Sequence, residues 1–242
     1  MTVLHSFNEG IGIDFDPIEH TYHCKNEQFF SASSFVADLE DEFKSIEMAY
    51  HVSEKCGVPQ SEIVDLWESG GRIASGFGTA LHNVFEHYFK YKHIGAKIKA
   101  GNAAMPNHPF LKEVIKDLEL IRVDGDTRQE VLISHKKKRI CGQVDDLLII
   151  DPVKKICRIR DYKITANIQE EKKKLASPFH FMKPTKLSKN FVQLAFYAFM
   201  MMSSGWKVEG IDVYNWDGEW HHFKLEGKEL GVLIMLISGK YV

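Results

Sequence analysis

The chain has 242 residues, of which 44% are hydrophobic and 26% are charged, so it can bury a sizeable core without disulfides or a structural metal. A formal net charge of −2 argues, as an average, against a DNA-binding protein. No apolar run approaches the roughly 20 residues that a membrane span needs, and the start of the chain lacks a signal-peptide pattern, so we expect a cytoplasmic protein with no membrane partner.

The first 70 residues predict short strands followed by a helix. Strand patterns cover residues 11–15, 21–24 and 29–31, and a helical pattern runs from 34 to 55 with Ser33 or Ser34 as its N-cap. This stretch holds 14 acidic residues against 3 lysine or arginine residues, a balance of −11. It therefore offers an acidic surface to a partner.

Helical patterns continue toward the middle of the chain. They cover residues 61–67 and 73–91, with an interruption at Gly70-Gly71, and then a helix from Pro109 to about 120 after a loop-like stretch. His82 and Glu86 are four residues apart, so they share one face of the second of these helices. A single histidine on such a helix is more often structural than a metal ligand.

The most informative segment is a predicted hairpin followed by a third strand. Residues 130–150 read as two strands around a lysine-rich turn, with Asp145 on the second strand. On the next strand the period of two places Asp161 and Lys163 on one face and Tyr162 on the other. Alone, this pattern is typical of a solvated face. Two carboxylates beside a lysine nevertheless suit Mg²⁺ or Mn²⁺ and phosphodiester chemistry, and Glu130 could add a third carboxylate.

The remaining third of the chain predicts a lysine-rich connection of about 20 residues, an apolar helix and a closing hairpin and helix. Gln193 and Tyr197 are one turn apart on the apolar helix, which ends near residue 203. The hairpin strands, 207–216 and 219–225, surround an Asp217-Gly218 turn. No internal repeat is present.

Positive charge is concentrated beside the predicted site. Residues 153–190 hold 11 lysine or arginine residues against 3 acidic residues, a balance of +8. Such a segment would attract a phosphate backbone without reading sequence. Aromatic residues at 179, 181 and 191 could stack unpaired bases, or could equally be core residues. The lysines that we expect to bind substrate are Lys172, Lys173, Lys174, Lys186 and Lys189.

In this order, the motifs resemble the PD-(D/E)XK nuclease superfamily and, within it, the RecB-like exonuclease branch. The matching segments span roughly residues 75–200: Gly78 to His82, Glu130, Gly142 to Asp145, Asp161 to Lys163, and Gln193 to Tyr197. The amino-terminal residues His20-Thr21-Tyr22, followed by Phe30-Ser31-Ala32-Ser33, also look like the leading hairpin of phage and mitochondrial single-strand exonucleases of this branch.

The resemblance implies a restriction-endonuclease-like α/β core, with a mixed central sheet flanked by helices, added amino-terminal strands and helices, and a carboxy-terminal hairpin. We expect one nuclease domain over residues 1–242. Within it, 1–70 form an acidic embellishment, 75–200 the core, and 206–242 the closing hairpin and helix.

The resemblance also implies a role for each motif residue. His82, Asp145 and Asp161 would bind one or two Mg²⁺ or Mn²⁺ ions, with Asp145, Asp161, Glu130 and Lys163 as the catalytic set. Gln193 and Tyr197 would contact the substrate, and Glu86 and Gly142 would support the site. Asp146 and His87 are expected to point away from the metal.

Some RecB-like nucleases hold an iron–sulfur cluster through cysteines on both sides of the core. Here the cysteines are few, widely spaced and absent after the Gln193 helix, which argues against a cluster and against a zinc site. They suit a reducing compartment as free buried thiols.

We therefore expect a Mg²⁺- or Mn²⁺-dependent exonuclease that hydrolyses single-stranded or end-exposed DNA in repair, recombination or replication. It could be encoded by a phage, act in the host cytoplasm and work with a recombination or replication protein. Three alternatives stay open: a structure-specific or restriction-type endonuclease, a non-catalytic binding or anti-defence protein that uses the acidic segment, and a general DNA-binding module. Cleavage polarity and oligomeric state are not fixed by the sequence.

Overall fold

The computed structural model describes residues 2–16, 18–19, 21–25, 27–39, 44–95, 109–171 and 174–241. The chain forms two compact units. The first contains Met1–Glu40 and Glu86–Val242, and the second contains Asp41–Phe85.

A nine-stranded sheet organises the first unit. In the order β1-β2-β3-β4-β6-β7-β8-β9 each strand pairs with the next, and β5 pairs with β6. The β4–β6 and β7–β8 pairs are parallel, whereas the other pairs are antiparallel. The strands are β1 (Thr2–His5), β2 (Gly12–Asp16), β3 (Thr21–Cys24), β4 (Glu27–Ser31), β5 (Asp126–His135), β6 (Ile140–Asp151), β7 (Ile156–Ile164), β8 (Lys207–Trp216) and β9 (Trp220–Glu226).

Six helices accompany the described strands: α1 (Ala32–Ala37), α2 (Ser45–Cys56), α3 (Gln60–Gly95), α4 (Pro109–Ile121), α5 (Lys186–Ser203) and α6 (Gly227–Tyr241). Within the first unit, α5 is the central helix because its sequence is apolar on nearly every side, and its residues from Leu194 to Met201 are buried. With α1 and α6 it covers β6, β7 and β8 in one hydrophobic core. The predicted class, an α/β fold with a mixed central sheet flanked by helices, is confirmed.

The hairpin that carries the predicted site has the expected form. β5 and β6 pair antiparallel from Asp126 opposite Ile149 to His135 opposite Ile140. A short 3₁₀ turn, Lys136–Lys138, joins them, and Arg139 has the left-handed φ of 52° that closes the turn. β7 then pairs antiparallel with β6. All three strands lie where the sequence pattern predicts them.

Two parts of the helix prediction before residue 95 are wrong: the helix over 34–55, including its N-cap, and the break at Gly70-Gly71. The single helix over 34–55 is two helices, since α1 ends where an acidic run begins at Asp38 and carboxylates disfavour a helix carboxyl end. The N-cap of α1 is Ser31, whose Oγ accepts the backbone N–H of Ser34, rather than Ser33 or Ser34.

The second error is the break at Gly70-Gly71. In the second unit α3 runs through both glycines, because a glycine inside a helix costs only about 1 kcal/mol and does not by itself end the helix.

The first strand, β1, was not predicted, since four residues give too short an alternation. The predicted loop at 100–108 and residue His20 lie outside the described residues.

Among the residues described, no helix is both long and apolar enough to cross a membrane. The four cysteines are free thiols, and the prediction that they are buried is confirmed for three of them but is wrong for Cys56. Cys24, Cys141 and Cys157 are buried, and Cys56 is exposed.

Candidate metal centre

Two aspartates face each other where β6 and β7 pair. Asp146 lies opposite Arg160 in the ladder, so the next position places Asp145 across from Asp161. The backbone N–H of Tyr162 donates to Asp145 Oδ2 at 3.0 Å. Asp145 is half-buried, and the side chain of Asp161 is only 4% exposed. The two predicted metal carboxylates therefore meet on one face of the sheet.

Lys163 completes this pair from the same face of β7. Its Nζ lies 2.6 Å from Asp161 Oδ2. Burial disfavours the ammonium ion, but the charges of Asp161 and Asp145 outweigh that penalty and raise the pKa of Lys163. Lys163 is therefore a fixed positive charge at neutral pH. Conversely, burial raises the pKa of Asp145, although Lys163 and the Tyr162 N–H oppose the rise.

Glu130 reaches the same place from β5. Gln129 pairs with Asp146, and Val131 pairs with Val144, so Glu130 lies across from Asp145. Its φ of +51° is left-handed, which is rare for a residue other than glycine and costs on the order of 1–2 kcal/mol. In this backbone conformation Glu130 leaves the regular β5–β6 ladder and lies next to the aspartates.

The negative charge of Asp145, Asp161 and Glu130 suits a divalent cation. Burial first, and then the charges of Asp145, Glu86 and Asp161, raise the pKa of Glu130 to about 8. Carboxylates crowded in this way repel one another unless a proton or a cation joins them. Carboxylate oxygens are also the ligands that Mg²⁺ and Mn²⁺ prefer. The acidic residues on these strands are thus a chemically suitable place for such an ion.

Helix α3 carries the predicted Gly-x-x-x-His motif and its following glutamate. Glu86, in the first unit, is half-buried; it pairs with Lys90 at 3.7 Å and its charge acts on Glu130. His82, in the second unit, is half-buried and lies one turn before Glu86 on the same helix face. His87 is exposed.

The Gln193–Tyr197 pair on α5 also lies beside the aspartates. Gln193 Nε2 donates to the Tyr197 hydroxyl at 2.8 Å, and Tyr197 is buried. Burial raises the pKa of Tyr197, as do the charges of Asp161 and Asp145, so the phenol stays neutral. A Cβ atom at position 142 would overlap the Tyr197 ring. Gly142 is therefore needed for α5 to approach β6 this closely.

The basic segment is only partly available to a ligand. Arg158 pairs with Asp212 at 2.9 Å and with Glu226 at 2.7 Å, and Arg160 is buried beside Asp146. These two arginines are therefore held in structural ion pairs. Of the predicted substrate lysines, Lys174 is exposed and Lys186 and Lys189 are half-buried, whereas Lys172 and Lys173 lie outside the described residues.

The three candidate stacking aromatics differ in exposure. Phe179 is fully buried in the core, and Phe191 packs against it, so these two are core residues. Phe181 is 58% exposed and stays available for stacking.

Sequence reasoning missed the residues behind the site. Asp146 points away from Asp145, as predicted, but it is the centre of a buried cluster that includes Arg122 and Tyr162. The available signal was charge balance: an aspartate before the apolar run 147–149 requires a cation from elsewhere in the chain.

Comparisons with known proteins give distant likenesses only. No family model matches the chain, and no curated protein matches it. Among solved structures, SSO0001 is similar at 12% identity with a TM-score of 0.28, covering 65% of this chain and 72% of that one. A putative exonuclease from Eubacterium rectale is similar at 14% identity with a TM-score of 0.36, covering 87% of this chain and 79% of that one. Likenesses this distant carry no argument about the chemistry of this chain.

Proposed function

We propose that this protein is a Mg²⁺- or Mn²⁺-dependent deoxyribonuclease of the RecB-like PD-(D/E)XK type that removes nucleotides from single-stranded or end-exposed DNA. The observation that carries the proposal is the meeting of Asp145, Asp161 and Glu130 with one charged lysine on three adjacent strands. The order of the motifs along the chain supports the same class.

The ligands in this proposal come from three elements. Asp145 and Asp161 hold the ion, as the motif predicts, and His82 adds an imidazole. Asp145 and Asp161 supply carboxylate oxygens, which are the ligands that such an ion prefers. One or two bound ions would supply a Lewis acid and a water activated for attack on phosphorus.

The other side chains act on the substrate directly. Lys163, whose Nζ lies 2.6 Å from Asp161 Oδ2, stabilises negative charge that develops on the phosphate. Gln193 and the neutral Tyr197 hydroxyl are hydrogen-bond donors for a phosphate oxygen or strand end. Lys174, Lys186 and Lys189, together with Lys172 and Lys173, hold the backbone electrostatically.

The biological setting follows from the resemblance alone. We infer a role in DNA repair, recombination or replication, in a cell or a phage, with a recombination or replication protein as its partner in the cytoplasm. We also propose that residues 1–242 work as one nuclease. We prefer exonuclease action to endonuclease action because a Gln-x-x-x-Tyr helix, like the one that carries Gln193 and Tyr197, is typical of the exonuclease branch.

The test is cleavage of end-labelled linear single-stranded, linear duplex and circular DNA with Mg²⁺, with Mn²⁺ and with chelator. Lys163→Ala is compared with Lys207→Ala, which changes an exposed lysine on β8. We expect metal-dependent loss of linear DNA by the wild type and by Lys207→Ala, none by Lys163→Ala, and intact circles. Cut circles would favour the endonuclease. A folded wild type that binds DNA without cutting it would favour a DNA-binding module, and one inert with every metal would favour a protein-binding role.

A further inference from the structure

The reverse face of the three site strands carries a second cluster of charges that the proposed reaction does not use. At its centre is Asp146, which is fully buried. Arg122 donates to Asp146 Oδ2 from Nη2 at 2.8 Å and from Nε at 3.0 Å, and the Tyr162 hydroxyl donates to the same oxygen at 2.7 Å. Arg160 Nη1 reaches it at 3.3 Å, while Gln129 Nε2 donates to Oδ1 at 2.9 Å.

Every residue of this cluster that lies on a strand directly precedes or follows a site carboxylate in the sequence. Successive residues of a strand project to opposite faces, so the residues that are fixed behind the sheet determine where the carboxylates lie in front of it. The neighbours are Gln129 with Glu130, Asp146 with Asp145, and Arg160 and Tyr162 on either side of Asp161. One carboxylate thus joins β5, β6 and β7 directly behind the candidate metal centre.

Arg122 extends the cluster to the helices. It follows the last residue of α4 and is 7% exposed. Its Nε also donates to the Tyr162 hydroxyl at 2.8 Å, and its guanidinium lies 3.9 Å from the ring centroid of Phe89. Phe89 is three residues after Glu86 on α3, so this contact also fixes the helix that carries Glu86.

We propose that Arg122, Asp146 and Tyr162 are positioning residues of the candidate metal centre. They hold β6 and β7 so that Asp145 and Asp161 face each other in front of the sheet. Tyr162 links the two faces, because its side chain binds Asp146 while its backbone N–H donates to Asp145. This inference rests on the proposed function. Groups that orient metal ligands from behind typically change metal affinity or activity 10–100-fold when they are altered.

The experiment compares two variants of the cluster with a matched control in the full chain. Tyr162→Phe removes one hydroxyl, and Asp146→Asn keeps the shape of the side chain but removes its charge. Asp212→Asn is the control, because Asp212 is equally buried and pairs with an arginine at 2.9 Å, but none of its hydrogen-bond partners adjoins a site carboxylate. Mn²⁺ affinity is measured calorimetrically, and kcat and KM on linear single-stranded DNA are measured in parallel, with circular dichroism to confirm folding.

We expect Mn²⁺ affinity and kcat to fall 10–100-fold in Tyr162→Phe and Asp146→Asn, with KM changing less than threefold, and to stay near the wild type in Asp212→Asn. If Asp146→Asn does not fold, Tyr162→Phe alone decides the question. Equal effects in a cluster variant and in Asp212→Asn, or none in either, would overturn the positioning role while leaving the nuclease proposal intact. A wild type that neither binds Mn²⁺ nor cleaves would overturn both.

Discussion

Replacing Glu130 by glutamine should change how the stability of the metal-free protein depends on pH. The pKa of Glu130 is about 8 in the folded chain and 4.5 as its ordinary value. Between pH 4.5 and pH 8 the folded state binds one more proton at Glu130 than the unfolded state does. As far as this group is concerned, the folded protein is therefore most stable below pH 4.5 and loses stability as the pH rises toward 8.

The size of the effect follows from that difference of about 3.5 pH units. At about 1.4 kcal/mol per pH unit, this pKa difference corresponds to a change of about 5 kcal/mol in the free energy of unfolding, if Glu130 titrates alone in a site fully shielded from solvent. Glu130 is half-buried and its titration is coupled to that of Asp145, so we expect roughly 2–3 kcal/mol. Glutamine cannot lose a proton, and the variant should lack this part of the pH dependence.

The assay is urea unfolding in the presence of chelator at pH 5, 6, 7 and 8, for the wild type, Glu130→Gln and Glu219→Gln. Glu219 is an exposed glutamate, so its variant controls for the loss of one carboxylate. The free energy of unfolding of Glu130→Gln, relative to the wild type, should increase by roughly 2–3 kcal/mol from pH 5 to pH 8. An identical pH dependence in the wild type and Glu130→Gln would refute the crowding of carboxylates at this site.

Three further predictions concern other parts of the molecule. Gly142→Ala places a methyl group against the Tyr197 ring and should lower the free energy of unfolding by about 1–3 kcal/mol, measured by urea unfolding; an unchanged value would mean that α5 does not approach β6 this closely. Asn8→Ala removes side-chain bonds to β5 and to the end of α5 and should cost about 2–3 kcal/mol, and full stability in that variant would contradict these contacts. Phe181→Ala should weaken single-stranded DNA binding without loss of stability, whereas Phe179→Ala should cost about 3–5 kcal/mol. Unaltered DNA binding by Phe181→Ala would remove its stacking role.

The strands of the candidate site were predictable because their signals are local. Period-two alternation and turn chemistry give β5, β6 and β7 within a few residues, and the same alternation places Asp161 and Lys163 on one face. The pairing that brings Asp145 opposite Asp161 joins neighbouring hairpin strands, so it follows from the same pattern.

The errors and omissions have a different origin. Gly70-Gly71 predicts a helix break because the local sequence reflects the cost of glycine in a helix but not the continuity of the 36-residue helix around it. The left-handed backbone of Glu130 and the Arg122–Asp146 contact depend on packing between segments far apart in the chain. Local periodicity carries no information about either feature.

Metal-dependent cleavage that relies on Lys163 can be measured as one rate: release of the end label from linear single-stranded DNA with Mn²⁺, compared between the wild type and Lys163→Ala. We expect cleavage by the wild type that stops with chelator and is at least about 100-fold slower in a folded Lys163→Ala variant, because the positive charge of Lys163 beside the phosphate is lost. Equal cleavage by both proteins, or no cleavage by the folded wild type with any divalent metal, would rule out the proposed nuclease site.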